Sequence, residues 1–437
     1  MASIDTHRCF GRVYDKHFDE RITNLVITPR EAVGQRSETV RRANLSAIVR
    51  ELHLKGPLSR SDLVAVTGLT RSAIRGLIGE LVAGGLVREE RSEPAGLPGR
   101  PSPLVRPDAE GALVLALEVN VDSLAAAVVG FGGTVHELVR IDRPRAHLTL
   151  DEIVSDIVDL VAPIRGHVAL DDALIGIGVA VAGIVRRTDG LVRLAPNLGW
   201  RDEPLRARLA TALMLPAPIH VANEADLGGL AEHRRGAAVG VDSVLYVMGE
   251  VGVGGNLIVD GQPVFGASGY AGEIGHLPVN PDGDRCGCGS YGCWETEIGE
   301  RAMLVHAGRP ATDGRDAVAR VIEAAAGGEP EALAGLSHVG NWLGIGLAGL
   351  INVLNPSLVV LGGLFERIHP LIADQVANVV QRRALPASRE FVSIVPATMG
   401  LDGPLLGAAE HAFEPFLADP AARLAATRAR RPALASA

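Results

Sequence analysis

The spacing of the apolar residues changes once along this chain, and that change constrains the fold more than any other sequence feature. Between residues 38 and 87, apolar side chains recur with the period of an α-helix. One such stripe, at positions i, i+3, i+4 and i+7, consists of Leu45, Ile48, Val49 and Leu52. From Ala112 onward, short apolar runs of strand character replace that period. The pattern predicts a small helical module followed by a larger α/β body.

The composition narrows the class of protein. The chain has 437 residues, more than one compact domain usually holds. Hydrophobic residues make up 47% and charged residues 21%, an ordinary globular balance. With only four cysteines, the composition excludes a wholly disordered chain, a collagen-like fibre and a small disulfide scaffold.

The helical module carries recognisable start and stop signals. Gly56-Pro57 ends the first predicted helix, and Ser59 followed by Asp62 has the pattern of a capping box that starts the second. A tight turn at Gly68 precedes Thr70, which can cap a third helix.

A short strand is predicted to begin at Leu86, and a loop rich in Pro, Gly and Arg covers 93–107. Three helices, a tight turn, a strand and a loop describe a winged helix-turn-helix.

The charge of the chain is unevenly distributed. Residues 36–106 carry twelve Arg and Lys against seven Asp and Glu, a net charge of +5. Residues 1–35 are neutral overall, so the rest of the chain carries −14 of the total of −9. Cationic surface attracts nucleic-acid phosphates, so the basic module favours a DNA-binding role.

Three side chains at the start of the predicted third helix lie opposite its apolar stripe: Arg71, Ser72 and Arg75. In a helix-turn-helix this helix enters the major groove and presents such residues to base edges. Arg100 lies in a stiff loop, 96–101, of the kind that enters a narrow minor groove. The alternative is a three-helix protein-interaction module with solvated arginines. The basic charge favours double-stranded DNA as the partner.

The body begins with three apolar runs, a helix over 150–168 and a further strand over 174–181. The three runs are Leu113–Val119, Leu124–Val129 and Val135–Ile141. This β-β-β-α-β order, followed by more alternating units to about residue 410, predicts an α/β body with a mixed sheet. No repeat of fixed period is visible.

One stretch raises the question of a membrane. Residues 341–365 carry no charge and are long enough to span a bilayer. Asn352, Asn355 and Pro356 interrupt them, which favours a buried helix over 342–353 and a buried strand over 358–361. The first residues have no apolar core of a signal peptide. The sequence thus predicts a cytoplasmic protein with no membrane partner.

Three of the four cysteines lie within eight residues. With one upstream histidine, the cluster consists of His276, Cys286, Cys288 and Cys293. Thiolate and imidazole at close spacing suit tetrahedral zinc, and four protein ligands leave no open position for catalysis. The alternative is a set of unligated cysteines in a Gly-rich turn. The spacing predicts one structural Zn²⁺ per chain, in a reducing compartment.

Several motifs together resemble the ROK family of repressors, open reading frames and kinases. The most specific is 272–276, Gly-Glu-Ile-Gly-His, followed by the cysteine run that ends at Glu295. Supporting pieces lie at 195–200, 221–225, 252–255 and 359–363. The resemblance covers about residues 38–410. It implies an actin-like (ribonuclease H-like) fold of two α/β lobes around a cleft, preceded in the repressor members by a winged helix.

The patterns along the chain and the resemblance together predict its division, in which the Ala-, Arg- and Pro-rich end is expected to be disordered, and the resemblance implies a set of sugar contacts. The division is a flexible tail over 1–35, a winged helix-turn-helix over 36–107, a first lobe over 108–225, a second lobe with the zinc loop over 226–402, a helix near 403–417 that returns to the first lobe, and a disordered tail over 418–437. The implied sugar contacts are Asn197, Asn223, Glu224, Glu273, His276 and Glu295. The histidine would both bind a hydroxyl and ligate zinc.

The departures from the family pattern concern the nucleotide. Kinase members have Asp-x-Gly-Gly-Thr after the first strand, whereas this chain has Glu-Val-Asn-Val-Asp at 118–122, without glycine and with an added carboxylate. The second phosphate loop carries Glu250, and Glu224 replaces the family's catalytic Asp. ATP binding is therefore expected to be lost and sugar binding kept.

The sequence thus predicts a sugar-responsive transcription factor that is not an enzyme, most consistent with a repressor of carbohydrate-utilisation genes. It would bind an operator duplex and a sugar or sugar-phosphate effector as a homodimer or tetramer. One alternative is an active ATP-dependent sugar kinase with an added DNA-binding domain. Another is a DNA-binding scaffold without a ligand, against which the retained polar residues argue.

Overall fold

The computed structural model describes residues 37–90, 102–145, 148–167, 170–311 and 314–425. The chain divides into two compact units, Met1–Arg41 and Arg42–Ala437. In the first unit, the described residues 37–41 are helical, and Arg41 pairs with Glu38. The predictions for 1–35, for Arg100 and its loop, and for 426–437 lie outside the described residues.

The helical module has three helices and three short strands. They are α1 Ser37–Lys55, β1 Leu58–Ser59, α2 Arg60–Thr67, α3 Arg71–Ala83, β2 Val87–Glu90 and β3 Leu104–Pro107. The capping box at Ser59 and Asp62 is present, and Gly68 has the left-handed conformation (φ 69°) that ends α2. The capping box and the glycine turn could be predicted from the sequence because each involves residues only a few positions apart.

The third strand of the module corrects one prediction. Residues 104–107 were predicted as part of a loop, but they form β3, which pairs antiparallel with both β1 and β2. The partners of β3 lie up to 47 residues away along the chain (Leu58 with Val105), so the local sequence could not indicate the pairing. The observed arrangement is a winged helix-turn-helix, as predicted.

The first lobe follows with eight strands and three helices. They are β4 Leu113–Val119, β5 Ser123–Gly130, β6 Val135–Asp142, α4 Leu150–His167, α5 Leu170–Ala173, β7 Leu174–Val181, β8 Ile184–Arg186, β9 Leu191–Ala195, β10 Trp200–Glu203, α6 Leu205–Leu213 and β11 Ile219–Asn223. β4 and β5 are buried along their whole length, which explains their continuous apolar sequences.

The second lobe has more helix than the first. Its elements, together with the final helix of the fold, are α7 Glu224–Arg235, β12 Val244–Gly249, β13 Val253–Val259, β14 Gln262–Pro263, a 3₁₀ turn Ile274–His276, α8 Trp294–Ile298, α9 Glu300–His306, α10 Gly314–Ala326, α11 Pro330–Leu354, β15 Leu358–Gly363, α12 Leu364–Arg383, α13 Pro386–Arg389, β16 Ser393–Pro396, a 3₁₀ turn Gly400–Asp402 and α14 Gly403–Ala418.

The two lobes contain the same sheet. The order is β6-β5-β4-β7-β11 in the first lobe and β14-β13-β12-β15-β16 in the second. In the first sheet, β4 pairs antiparallel with β5 and parallel with β7. In the second sheet, β12 pairs in the same way with β13 and β15. This duplication confirms the predicted actin-like fold of two α/β lobes, although no repeat is visible in the sequence.

The module and the first lobe share one buried core. Leu45 and Ile74 of the module pack in the same cluster as Phe131 of the first lobe and Phe413 of α14. Domains with separate cores are usually joined by linkers that few contacts cross. Here the predicted boundary at residue 107 does not separate two cores.

The end of the described chain corrects a second prediction. Disorder was expected over 418–437, but residues 420–425 are helical and Leu424, 1% exposed, joins the shared core. An Ala- and Arg-rich composition suggested disorder, whereas Leu424 and Ala421 pack against the shared core.

The long apolar helix α11, Pro330–Leu354, has the length and hydropathy of a membrane span. Most of its apolar residues are buried inside the fold, where the helix packs against α8, α9 and α12. This burial is that of a core helix, as the interruptions near its end predicted.

Candidate functional site

The cleft lies at the carboxyl ends of the parallel strands of both sheets. In the first lobe, Val119, Val181 and Asn223 are aligned in register as the last residues of β4, β7 and β11. In the second, Gly249 and Gly363 end β12 and β15 in register. Ligands of open α/β sheets bind outside these ends, so the polar residues that follow them are the candidates.

Asn223 sits at the junction between β11 and α7. Its Oδ1 accepts hydrogen bonds from the backbone N–H of Ala225 (2.7 Å) and of Asp226 (3.3 Å), and its Nδ2 donates to the carbonyl of Gly183 (2.9 Å). Asn223 therefore caps α7 and fixes where the adjacent Glu224 points.

All six residues predicted to contact a sugar line one cavity of about 130 Å³. They are Asn197, Asn223, Glu224, Glu273, His276 and Glu295, and we call this cavity the ligand end of the cleft. They come from four separate segments of the chain. The cavity is about ten times the minimum volume of about 10–15 Å³ that one water molecule needs, so it can hold a ligand larger than water.

The carboxyl groups of the ligand end are poorly solvated. Oε2 of Glu224 is buried, and no described residue donates a hydrogen bond to it. Burial, reinforced by the charges of Glu250 and Glu118, raises the pKa of Glu224 well above its usual range. Burial with the nearby Asp226 raises the pKa of Glu273 to about 7. Such groups are stabilised when a ligand supplies hydroxyl donors.

Beside the cavity, the predicted cluster of His276, Cys286, Cys288 and Cys293 is assembled, with its ligand atoms within 4.8 Å of one another. Cys286 Sγ lies 3.6 Å from His276 Nδ1, and Cys288 Sγ lies 3.7 Å from Cys293 Sγ. Ligands around a tetrahedral ion with bonds of about 2.0–2.3 Å are separated by about 3.6–3.8 Å. The four groups thus have the spacing needed to hold a metal ion.

The cluster and the cavity share His276, and Glu295 of the cavity contacts the cluster. His276 turns Nδ1 toward the sulfurs, which leaves Nε2 4.0 Å from Oε2 of Glu273. Oε1 of Glu295 accepts a hydrogen bond from Cys286 Sγ (2.8 Å), and its Oε2 accepts one from the backbone N–H of Val253 (3.4 Å). The cluster is therefore in direct contact with the cavity wall.

At the other end of the cleft, charged residues pair with one another. Asp122 accepts from Arg145 Nη2 (2.9 Å) and from Arg315 Nη2 (2.6 Å), and Glu300 accepts from Arg145 Nη1 (2.5 Å) and Nη2 (2.8 Å). Asp122 and Arg145 belong to the first lobe, and Glu300 and Arg315 to the second. We call these four residues the ion-pair end of the cleft.

The first predicted phosphate turn adds a second set of pairs. Glu118, 1% exposed, accepts from Arg140 Nη2 (2.8 Å), which also donates to Asp402 (3.0 Å). Burial raises the pKa of Glu118 despite the arginine. In the second turn, burial raises the pKa of Glu250 to about 7, although the charge of Arg315 opposes the shift. Both turns therefore present carboxyl groups, as the sequence indicated.

Sequence reasoning missed the basic partners of these carboxyls: Arg140, Arg145 and Arg315. The family motifs do not include them, and they lie 22, 23 and 193 residues from their partners. The only local signal was the run of basic residues around residue 143, which also fits a solvated surface.

The predicted DNA-contacting residues of α3 lie on its exposed side. Arg71, Ser72 and Arg75 are exposed, whereas Ile74 is buried in the shared core. Thr70 caps the helix by accepting from the backbone N–H of Ala73 (3.2 Å). Within the described residues, neither arginine pairs with a carboxylate, so both are available for an external anion.

The comparisons with known proteins agree with this geometry. The sequence profile described as the ROK family matches residues 114–414. The chain is 27% identical to the xylose repressor of Bacillus spizizenii over 384 residues, which cover 86% of this chain and 97% of that protein. So large a share extends into the chain before residue 114, where the family profile does not reach.

Two solved structures differ in how much of this chain they cover. A structure described as a ROK family transcriptional regulator, homolog of the Escherichia coli Mlc protein, covers 89% of this chain and 98% of its own, with a TM-score of 0.72 and 25% identity. A ROK family glucokinase from Streptomyces griseus, in complex with glucose and AMPPNP, covers 69% of this chain and 99% of its own, with a TM-score of 0.62 and 29% identity.

Proposed function

The chain belongs to the ROK family, and we propose that it is a sugar-responsive, DNA-binding transcriptional repressor of carbohydrate-utilisation genes. The observation that carries the proposal is the combination of a winged helix-turn-helix with a cavity lined by all six expected sugar-contact residues. The repressor relatives cover the module as well as the lobes, which supports a repressor over a kinase.

We propose a neutral monosaccharide as the effector. The cavity volume of about 130 Å³ suits one sugar ring, and the carboxyl groups of Glu224 and Glu273 accept hydrogen bonds from hydroxyls. A sugar phosphate is less favoured because Glu250 and Asp122 lie close enough to Glu224 to act on its charge and would also repel a phosphate. D-xylose and D-glucose, named for relatives of the chain, are the first candidates.

We further propose that His276, Cys286, Cys288 and Cys293 hold one structural Zn²⁺. Three sulfur donors and one imidazole nitrogen are the donor set that zinc prefers. Burial raises the pKa of the Cys286 and Cys293 thiols, so a cation is needed to hold them as thiolates. A bound ion would neutralise the thiolates and fix the orientation of His276, whose Nε2 remains free for a ligand hydroxyl.

We propose that the chain does not phosphorylate sugars. Triphosphate binding needs backbone or cationic donors, but Asp122 and Glu250 stand at the two phosphate turns, and the guanidinium of Arg145 is already occupied by carboxylates. Two like charges 4 Å apart repel by about 4 kcal/mol at an effective dielectric of 20. The competing candidate, an active sugar kinase, is favoured only by the likeness to glucokinases.

Calorimetry separates the two candidates. We expect a sugar isotherm and no isotherm for ATP at millimolar concentration. Sugar-dependent release of ADP that disappears in Glu224→Ala would establish the kinase instead.

The repressor would act in the cytoplasm as a homodimer or tetramer, because two-fold symmetric half-sites need two recognition helices. Sugar binding would change how the two lobes are arranged, and with that arrangement the affinity for DNA. This requires that the sugar bind two arrangements of the lobes with unequal affinity.

The proposed function is tested in two steps. A thermal-shift screen against neutral sugars and sugar phosphates identifies the effector, since a ligand at 100 times its Kd stabilises by about 2.7 kcal/mol. Selection from a random duplex library then identifies the operator, and Arg75→Ala is expected to weaken binding to it by about 1–3 kcal/mol. Undiminished DNA binding by the double variant Arg71→Ala, Arg75→Ala would contradict the assignment of α3.

A further inference from the structure

We propose that helix α7 links the effector cavity to the DNA-binding module, and that Arg235 at its end is the positioning residue that makes the link. The inference rests on the proposed function and adds how the sugar signal reaches DNA. It is drawn from contacts within the unit Arg42–Ala437.

The two ends of α7 belong to two different sites. Its N-terminal end begins at the cap Asn223 and Glu224, both of which line the ligand end of the cleft. Its C-terminal end carries Arg234 and Arg235. Twelve residues of α-helix measure about 18 Å, so this one rigid element spans from the cavity to the module.

The guanidinium of Arg235 contacts three parts of the structure at once. Nε donates to Oε1 of Glu410 on α14 (2.5 Å), and Nη2 donates to the backbone carbonyl of His53 in the last turn of α1 (3.2 Å). Nη1 donates to the carbonyl of Gly132 in the β5–β6 hairpin (3.4 Å). Arg235 is thus the point where α7, the module and the first lobe meet.

His53 is the residue of the module that contacts Arg235. Its side chain is 0% exposed, and its ring stacks against Phe131 (5.7 Å between centroids). Nδ1 accepts from the backbone N–H of Gly132 (3.2 Å), and Nε2 lies 3.1 Å from Oε2 of Glu410 and 2.9 Å from Nη2 of Arg235. The position of α1 is therefore defined by the same carboxylate that Arg235 binds.

Glu410 is held in its charged form by these partners. Burial favours the neutral carboxyl, but the hydrogen bond of His53 and the charge of Arg235 outweigh it and lower the pKa to about 2. A buried carboxylate cannot lose one partner without a large cost, so α14, α7 and α1 move together or exchange partners.

The middle of α7 is closely packed against its neighbours. A Cβ added to Gly228 would approach the Tyr246 hydroxyl to 2.7 Å, and one added to Gly229 would approach Asn256 to the same distance. On the other side, Gly407 of α14 lies against the backbone of Leu227, where an added Cβ would come within 1.8 Å of the carbonyl oxygen. A helix packed this closely moves as a body, so a shift at Glu224 reaches Arg235.

Arg235→Lys is the discriminating variant. Lysine keeps the positive charge beside Glu410 but lacks the planar fork that reaches His53 and Gly132 together. The matched control is Arg234→Gln, which removes the ion pair from α7 to Glu414 on α14, a residue whose other partner is Arg50 of α1 (3.6 Å), and leaves the direct contacts of Arg235 with α1 intact.

The experiment uses the full-length chain with its metal. Sugar affinity is measured by calorimetry with D-xylose, or with the sugar that stabilises the wild type most in the screen. DNA affinity is measured with and without that sugar on a duplex selected by the wild type. The ratio of the two DNA affinities is the coupling, typically about 5- to 150-fold, and the duplex must change the sugar affinity by the same factor.

We expect Arg235→Lys to bind the sugar within about threefold of the wild type while its coupling falls below about twofold, and Arg234→Gln to keep most of the coupling. Wild-type coupling in a folded Arg235→Lys would overturn the inference, as would a parallel loss of sugar binding. If Arg235→Lys does not fold, the double variant Arg235→Gln, Glu410→Gln removes both charges together and takes its place, with the same expected ratio.

A wild-type protein that binds no sugar and no DNA would instead contradict the proposed function. The two failures are therefore distinguishable.

Discussion

Two carboxyl groups at each end of the cleft are in opposite states. At the ion-pair end, Asp122 and Glu300 accept five hydrogen bonds from two arginines, so their charge is balanced inside the protein. At the ligand end, Oε2 of Glu224 has no described partner, and the nearest basic nitrogen to Glu273 is His276 Nε2 at 4.0 Å.

The difference teaches which end is built for a ligand. Polar groups that satisfy one another gain little from a ligand, and displacing their partners costs energy, whereas buried groups without partners gain a full hydrogen bond. Under the proposed function, a chain of the ROK family would keep a cavity for the sugar while its own ion pairs fill the expected nucleotide position.

Removing the metal should destroy the ligand end alone. We expect Cys288→Ser to lose the ion and to disorder the loop over 276–295, because structural zinc contributes about 10–16 kcal/mol in small zinc-binding folds. Sugar affinity should fall by about 10- to 100-fold, since His276 and Glu295 lose their support. Metal analysis and calorimetry measure both effects. Cys9→Ser is the control, and a zinc-free wild type with normal sugar binding would refute the site.

Breaking the ion-pair end should instead reduce stability. In Arg145→Ala, Asp122 loses one of its two arginines and Glu300 loses its partner, and we expect the free energy of unfolding to fall by about 2–4 kcal/mol. The control is Arg193→Ala, whose pair with Asp202 is about half exposed and should contribute less than about 1 kcal/mol. Urea unfolding compares the two, and equal effects would show that the ion-pair end is an ordinary surface network.

The pH dependence of stability sharpens the contrast. Burial raises the pKa of Glu250 to about 7 in the folded protein, so between about pH 4.5 and 7 the folded form holds a proton that the unfolded chain releases. The contribution of Glu250 to the free energy of unfolding is therefore fully present at low pH. It is lost as the pH rises to about 7 and does not change further at higher pH.

We expect the contribution of Glu250 to be about 1–3 kcal/mol and to disappear in Glu250→Gln. Thermal unfolding from pH 5.5 to 8.5 measures it, and an unchanged slope in the variant would contradict the assignment.

The smallest effect on stability is expected at Asn197. Its side chain is exposed at the mouth of the ligand end, so Asn197→Ala should change the free energy of unfolding by less than about 0.5 kcal/mol. Loss of one neutral hydrogen bond to the sugar, about 0.5–1.5 kcal/mol, should raise the sugar Kd by about 3- to 10-fold. Calorimetry tests this, and an unaltered Kd would remove Asn197 from the list of contacts.

The sequence by itself determined those features that depend on residues close together in the chain. The capping box of Ser59 and Asp62, the bounds of the strand Leu113–Val119 and the metal spacing around Cys286 were all predicted correctly as local structure. Each depends on hydrogen-bond or ligand geometry within about twenty residues, and neighbours in the chain cannot move far apart. The resemblance to the family also placed six residues from distant segments in one cavity, because the family's motifs are known to lie around one cleft.

Only the tertiary structure decided the features that depend on long-range partners. The strand Leu104–Pro107 was predicted as loop because its partners are remote, and Leu424 was predicted as disordered because its core lies elsewhere in the chain. Arg145 meets Glu300 across 155 residues, and His53 meets Glu410 across 357. An isolated arginine or histidine has the same local sequence whether it is solvated or paired, so its role depends on which elements fold beside it.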